Sequence, residues 1–238
     1  AAVRALDDRA EHCVLLLRVP AARVPGHEQV AADQAVVAEG PVLEQEGLPI
    51  GVVENLQGIS WTEVTIRGQA NHAGTTPMHL RRDAGHHAAL VVTFLQHICA
   101  ELGPTQVATC GRLKLVPDLI NVVPGQAQLT VDLRNSDETL LQRAETMLAD
   151  YLDQIAANGQ LEITTRRLAR FEPVRFSEDI AMVIETGVAA LGLAHRRMTS
   201  GAGHDAQMMA RICPSAMIFV PSHAGVSHNP AEFTADEE

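Results

Sequence analysis

The hydrophobic and polar positions show their clearest pattern between residues 60 and 168. Residues 61–67 (WTEVTIR) alternate between two faces, which predicts a strand. From Arg82 to Leu102 apolar residues recur at steps of three and four, so they share one stripe of an amphipathic helix. The pair Gly103-Pro104 follows, and these two residues are typical of a helix end.

Two strands, a second helix and a further strand follow in the same stretch. Strands are predicted over residues 106–116, 126–134 and 161–167. The helix before the last of them begins after Asn135, which we place as its N-cap, with Glu138 at the position of the return contact. The order β-α-β-β-α-β is typical of the ferredoxin-like fold, in which two helices cover one face of an antiparallel sheet.

The remaining residues are less regular. Residues 1–39 show no clear period, and Pro20 and Pro25 interrupt any helix there. Residues 177–191 predict a helix, and the continuous apolar run from Met217 to Val220 is typical of a buried parallel strand. The sequence therefore predicts an α/β protein with a ferredoxin-like part.

Composition narrows the classes of partner and the cellular location. The formal net charge of −11 argues against nucleic acid and against an anionic membrane surface as partners. The longest strongly apolar run, Val14 to Leu17, is too short to cross a bilayer, and acidic residues stand where an export signal would have none. The four cysteines form no CxxC pair, so we expect reduced thiols in a cytoplasmic protein. The charge does not argue against a small anionic ligand, since a single arginine can bind a carboxylate.

Two clusters of candidate site residues lie in the ferredoxin-like part. His72 stands in GQANHAGTTPMHLRRD, a loop between a predicted strand and a predicted helix, where functional residues often collect. The alternative for this loop is a capping turn, with Thr75 or Thr76 starting the helix. Asn121 and Arg134 flank a Pro-Gly turn between neighbouring strands, so we expect them to approach each other and hold a carboxylate. The alternative for this pair is a solvated strand end.

A third cluster lies near the end of the chain. In SGAGHDAQ the glycines, Gly203 among them, expose backbone N–H groups before a helix that begins near Asp205, which indicates an anion or oxyanion site. His228 follows an apolar strand through a short polar loop, a position suited to a metal ligand. One histidine does not make a metal site, so the spacing alone leaves metal binding open.

Taken together, several blocks resemble one family. GPVLEQEGLPIGVV, GQANHAGTTPMHLRRDA, NVVPG, DLRN, MTSGAGHDAQ and MIFVPSHAGVSHNPAEFT are similar to blocks of the M20 peptidase-group amidohydrolases. Within that group they are closest to the N-carbamoyl-L-amino acid hydrolases and the allantoate amidohydrolases. The resemblance implies a ferredoxin-like lid and dimerisation domain at 59–169, inserted in part of a zinc-peptidase-like catalytic domain at 40–58 and 170–238. Residues 1–39 stay unassigned.

The resemblance also implies a role for each matching residue. His72 would stabilise the oxyanion that forms during hydrolysis and reach toward the site of a partner subunit. Asn121 and Arg134 would bind the carboxylate of a small-molecule substrate, and Gly203 would contact the substrate through its backbone. His228 would bind one of two divalent metal ions, zinc or manganese. The implied activity is the metal-dependent hydrolysis of linear C–N bonds in N-carbamoyl-L-amino acids or allantoate, by a homodimer joined through the lid.

The chain departs from the family pattern at the metal site. Val36 stands where the family has a metal-binding histidine before GPVLE, and the other family ligands and the catalytic glutamate belong to a segment that the sequence does not match. We therefore expect a truncated member with an incomplete metal pair and poor turnover, in which His27, His204, Asp205 or His223 could substitute as ligands. Two alternatives stay open, a non-catalytic dimerising lid module and an aminoacylase or dipeptidase. The GHDAQ and SHNP blocks favour the carbamoyl branch over the latter.

Overall fold

The computed structural model describes residues 41–225, two strands before them and Thr234. The strands are β1 (Leu15–Leu16), β2 (Gln34–Glu39), β3 (Ile50–Leu56), β4 (Gly58–Arg67), β5 (Asn71–His72), β6 (Val107–Val116), β7 (Val122–Val123), β8 (Gln126–Asn135), β9 (Glu162–Phe171), β10 (Val174–Arg175), β11 (His195–Ser200) and β12 (Ala216–Pro221). The helices are α1 (Pro41–Glu46), α2 (Ala84–Leu102), α3 (Glu138–Gly159), α4 (Glu178–Ala190) and α5 (Ala206–Met209), with single 3₁₀ turns at Met78–Leu80 and His223–Gly225.

The chain divides into two compact units. The first runs to Leu56 and resumes at Val174, and the second is the continuous segment Gln57–Pro173. We call them the discontinuous unit and the inserted unit. The predicted boundaries, at 58/59 and 169/170, differ from the observed ones by two and four residues. The roles of catalytic domain and lid stay predictions.

The inserted unit is a four-stranded antiparallel sheet with two helices on one face. Its strands lie in the order β6-β8-β4-β9, and the chain order β4-α2-β6-β8-α3-β9 is the predicted ferredoxin-like one. Every second residue of β8 is buried, which is the two-residue period of a strand with one covered face. The covered face packs against the predicted apolar stripe of α2 and against α3. The α/β fold class is thus confirmed.

The predicted cap of α3 is wrong. Asn135 is not the N-cap, because it still pairs with Gly58 as the last residue of β8. Asp137 caps the helix instead, and its carboxylate accepts from the backbone N–H groups of Thr139 and Leu140 at 2.7 and 3.0 Å. Asn135 is fully buried and donates to Gln106 Oε1 at 3.0 Å. Its Oδ1 accepts from the N–H of Asp137 at 2.9 Å, so the side chain connects the end of β8 to the residue that caps α3.

The discontinuous unit is built on a mixed sheet in the order β1-β2-β12-β3-β10, with β11 also paired to β3. One face packs against α4, the helix predicted over 177–191, whose N-cap is Ser177. The other face packs against α1 and α5. The strand predicted at Met217–Val220 lies inside β12, which is parallel to β2 and antiparallel to β3. Among the residues that the structure describes, no helix has both the length and the apolarity needed to cross a membrane.

Candidate functional site

Two predicted site residues meet in a small ribbon on the inserted unit. The ribbon pairs β5 with β7, so that His72 lies opposite Val122. One residue beyond, the Ala73 N–H donates to the carbonyl of Asn121 at 2.9 Å. His72 and Asn121 are both exposed. Segments far apart in the sequence therefore present an imidazole and a carboxamide at the same end of the unit.

The ribbon rests on a close approach of two backbones. Gly68 N–H donates to the Gly125 carbonyl at 2.8 Å, and Gly125 N–H donates to the Val116 carbonyl at 2.9 Å. A Cβ on Gly125 would lie 2.7 Å from the Ala70 nitrogen, and a Cβ on Gly68 would lie 2.0 Å from the Arg82 carbonyl oxygen. Because only glycine leaves room for this approach, the glycine of NVVPG is a structural requirement of the ribbon.

The imidazole of His72 is held by backbone amides. Its Nδ1 accepts from the N–H groups of Gly74 and Thr75 at 3.0 and 3.2 Å. An imidazole nitrogen that accepts carries no proton, so these bonds fit the neutral ring with its proton on Nε2. The ring thereby offers one N–H donor on the side away from the turn. A neutral donor of this kind can stabilise a developing oxyanion.

The capping-turn alternative for this loop is wrong. Neither Thr75 nor Thr76 starts α2, because Asp83 is its N-cap and accepts from His86 N–H at 3.0 Å. The Thr76 hydroxyl instead donates to the His72 carbonyl at 2.7 Å. Thr76 therefore contributes to the turn that holds His72.

Arg134 lies away from the ribbon. It is near the far end of β8, whereas the Pro-Gly turn leads into the beginning of that strand at Gln126. Eight residues of extended strand correspond to about 26 Å. The expectation that Asn121 and Arg134 approach each other is thus wrong within one chain. The turn connects Asn121 to the Gln126 end of β8, whereas Arg134 lies near the opposite end.

The guanidinium of Arg134 is oriented by a residue that the sequence analysis did not single out. Asp132 accepts from Arg134 Nε at 3.1 Å and from Nη2 at 2.8 Å. The two residues lie two positions apart on one strand and therefore share a face. The two-residue spacing of Asp and Arg in the DLR sequence is the feature from which this ion pair could have been predicted. The pair is about one-quarter exposed, at 25% and 26% of the side-chain surface.

Apolar side chains surround this ion pair on the sheet face that the helices leave open. Ile59 and Val107 lie directly opposite Arg134 on the two neighbouring strands, and Trp61 lies opposite Asp132. Ile59 is 5% exposed, whereas Trp61 and Val107 are 40% and 45% exposed. A ligand held by Arg134 would meet these apolar groups, because directly opposite residues are only about 5 Å apart.

The middle of the same open face carries a bridging carboxylate. Glu63 accepts from Arg166 at 2.9 Å and from Arg112 at 2.5 Å. The Arg166 hydrogen bond, together with the charges of both guanidinium groups, lowers the pKa of Glu63 against the opposing effect of burial. Glu63 therefore stays ionised at neutral pH and holds both arginines on the open face.

In the discontinuous unit, Gly203 lies in the exposed loop between β11 and α5. His204 Nδ1 accepts from Ala206 N–H at 3.0 Å, which shapes the loop. The helix predicted near Asp205 is α5, which has only four residues, Ala206–Met209. So short a helix has little dipole to offer an anion.

The predicted metal ligand His228 and its possible substitute His27 lie outside the described residues. His223 is exposed in the 3₁₀ turn that follows β12, where Ala224 N–H donates to the Glu44 carboxylate at 2.7 Å. Within the described part of the chain, no three His, Cys, Asp or Glu side chains are grouped as metal ligands. Among the described residues, His204, Asp205 and His223 therefore do not form a metal centre.

A cavity of about 270 Å³ lies elsewhere in the discontinuous unit. Its lining includes Arg175, Ser177 and Cys213 and none of the predicted site residues. The candidate residues of the inserted unit are therefore presented on an exposed ribbon and an open sheet face.

The family model of Peptidase family M20/M25/M40 matches residues 15–238. The chain belongs to this family. The N-carbamoyl-L-amino acid amidohydrolase of Geobacillus stearothermophilus is 38% identical over 222 residues, which cover 93% of this chain and 54% of the relative. The allantoate amidohydrolase of Escherichia coli is 36% identical over 198 residues, covering 83% and 48%. The resemblance stated from the sequence motifs is thus confirmed.

A solved structure gives the same result. An amidase of the hydantoinase/carbamoylase family from Burkholderia multivorans superimposes with a TM-score of 0.84 at 37% identity. The match covers 90% of this chain and 53% of the Burkholderia chain. The chain thus spans about half the length of the relatives and solved structures that it matches.

The backbone approach beneath the ribbon leads to a test. Gly125→Ala should lower the free energy of unfolding of the inserted unit by about 1–3 kcal/mol, because its Cβ overlaps Ala70. Trp61, the single tryptophan, reports this unfolding by fluorescence in a denaturant titration. The amide resonances of His72 should shift as well. Gly111→Ala is the matched control, because its Cβ would meet only the Thr130 hydroxyl at 3.7 Å. Equal stability of the two variants would contradict the prediction that a Cβ at Gly125 destabilises the inserted unit.

Proposed function

We propose that the protein is a hydrolase of linear C–N bonds that acts on N-carbamoyl-L-amino acids or allantoate. Membership of the M20 family and the names of the relatives support the reaction class. The observation in this chain that carries the proposal is the His72 imidazole, whose Nδ1 is engaged by two backbone amides. The proposed location is the cytoplasm, with neither nucleic acid nor membrane as a partner.

Hydrolysis of an amide or ureido group places negative charge on the carbonyl oxygen. His72 would donate its Nε2–H to that oxygen and strengthen the hydrogen bond as the charge develops. M20 amidohydrolases in general depend on divalent metals, and zinc or manganese is proposed for this protein. The role of this chain's described residues is to bind the substrate and to present a donor.

Arg134 would bind the α-carboxylate of the substrate, with Asp132 orienting its guanidinium. The apolar neighbours of Arg134 favour one substrate class. A substrate side chain beside that carboxylate would contact Trp61 and Val107, which offer few hydrogen bonds to the ureido groups of allantoate. We therefore propose N-carbamoyl-L-amino acids with apolar side chains as the preferred substrates.

We further propose a homodimer in which one subunit's ribbon and the other's Arg134 serve the same substrate. An amino acid derivative spans only about 10 Å. His72 and Asn121 lie at one end of the inserted unit and Arg134 at the other, about 26 Å of strand away. Within the described residues, β6 and β9 are the outer strands of the sheet, and an outer strand can pair with another copy.

The reaction class is tested by supplying zinc or manganese and following hydrolysis of four compounds. Because we expect an incomplete metal pair, we expect slow ammonia release from N-carbamoyl-L-leucine, and slower release still from allantoate. Leucine release from N-acetyl-L-leucine or alanyl-leucine, with both ureido compounds intact, would assign the protein to the aminoacylases or dipeptidases. Turnover of none of the four would favour the non-catalytic lid module.

Carboxylate recognition is tested by Arg134→Lys. A lysine ammonium cannot reproduce a two-pronged contact, so we expect N-carbamoyl-L-leucine to bind more weakly by about 1.5–3 kcal/mol, measured by calorimetry. Arg143→Lys is the matched control, since Arg143 lies exposed on α3 and pairs with Glu101. The role of Arg134 is wrong if both variants bind the ligand as tightly as the parent protein.

The dimer is tested by sedimentation velocity at micromolar concentration. We expect a species of twice the chain mass of 25.6 kDa. Mixing the His72→Ala and Arg134→Ala variants should restore part of the activity, because a mixed dimer retains one intact combination of the two residues. A monomer at all concentrations would refute the shared site.

A further inference from the structure

We propose that Arg81 is a positioning residue for His72, because it holds the turn that selects the tautomer of the imidazole ring. The proposal rests on the proposed function only where it takes His72 to be the donor to the oxyanion. Arg81 is the first arginine of the RRD sequence that follows the HAGTTPM block.

Arg81 donates to two carbonyl groups of the turn. Its Nη2 lies 2.5 Å from the Ala73 carbonyl oxygen, and its Nε lies 3.0 Å from that of Thr76. Arg81 is partly buried, and its own N–H donates to the Met78 carbonyl at 3.2 Å, which closes the 3₁₀ turn before it. The Arg81 guanidinium therefore connects the beginning of the His72 turn, at Ala73, to its end, at Thr76.

The peptide group between Ala73 and Gly74 connects these contacts to the imidazole. The carbonyl that accepts from Arg81 and the N–H that donates to His72 Nδ1 belong to this one peptide group. A trans peptide is planar, so its C=O and N–H point in opposite directions and rotate together. An arginine that fixes the Ala73 carbonyl therefore aims the Gly74 N–H at the ring. The charged donor also polarises the peptide and strengthens the second hydrogen bond.

The geometry requires a guanidinium. Nε and Nη2 lie on one edge of a rigid plane and can serve two acceptors at once. A lysine has the same charge but is a point donor on a flexible stem. The neighbouring Arg82 shows the contrast, because its Nε donates to the Gln160 carbonyl at 2.7 Å, away from the His72 turn. Arg82 is therefore a matched control of the same residue type at the next position.

Loss of Arg81 should leave the ribbon in place, since β5 still pairs with β7, but should free the Ala73–Gly74 peptide to rotate. The ring would then populate both neutral tautomers. The proposed hydrogen bond from His72 is stronger in the transition state than in the bound substrate. The expected kinetic result is therefore a fall in kcat of between about ten- and a hundred-fold, with little change in KM.

The test uses the ring nitrogens of His72 in the ¹⁵N-labelled protein, observed by long-range ¹H–¹⁵N correlation at a pH where the ring is neutral. We expect a single tautomer protonated at Nε2 in the parent and in Arg82→Ala. In Arg81→Ala and in Arg81→Lys we expect averaged nitrogen shifts that report both tautomers. Trp61 fluorescence checks that each variant is folded, and Arg81→Lys supplies the result if Arg81→Ala does not fold.

The outcomes distinguish the positioning role of Arg81 from the role of His72 as oxyanion donor. A folded Arg81 variant that keeps the Nε2 tautomer of the parent overturns the positioning role, whatever the protein hydrolyses. Averaged nitrogen shifts in the Arg81 variants, with turnover unaffected by His72→Ala, would establish the positioning of the ring and refute its role as oxyanion donor. Equal loss of the tautomer in Arg82→Ala would also overturn the proposal, because the effect would then be a general one of removing an arginine.

Discussion

Ten residues of β4 pair with ten residues of β8, from Gly58 opposite Asn135 to Arg67 opposite Gln126. This register assigns each side chain of the two central strands to the helix-covered face or to the open face, because neighbouring residues of a strand alternate. It places the apolar residues of β8 under α2 and α3, and it places Asp132 and Arg134 on the open face beside Trp61 and Ile59. A shift of one residue would bury the ion pair and expose the core. The register therefore sets both the stability of the inserted unit and the location of Arg134, the proposed carboxylate-binding group.

Backbone groups carry much of the remaining site. The ribbon is joined by main-chain hydrogen bonds, and its base depends on the absence of a side chain at Gly68 and Gly125. The His72 ring is held by two N–H groups, and Arg81 acts on carbonyl groups of the same turn. A donor held in this way needs little reorganisation when negative charge develops on the substrate. Substitution of Gly125 or Arg81 should therefore lower the rate of the proposed reaction through its effect on His72.

The separation of the candidate residues along β8 is the structural basis of the proposed dimer. A site with all the implied residues must draw on more than one copy of the inserted unit, because one copy holds them at opposite ends of a strand. Dimerisation would then be required to assemble the proposed site, and would not only stabilise the protein. In the proposed reaction the inserted unit would supply substrate recognition, through Arg134, and the oxyanion donor, through His72.

Local patterns in the sequence were enough to predict the β-α-β-β-α-β order and the apolar stripe of α2. The strand and helix periods can be recognised from the hydrophobicity of residues close together in the chain. The motif blocks were enough to identify the family. Local pattern did not predict β3, which has three successive buried residues, Gly51 to Val53, and so no alternation. It also misplaced the cap of α3, because the pairing of Asn135 with a distant strand outweighs its capping propensity. Only the tertiary structure decided that His72 lies beside Asn121, that Arg134 lies far from both, and that Arg81 reaches the His72 turn. These relations depend on strand register and on hydrogen bonds between backbone segments that are distant in the chain, and no short stretch of residues specifies them.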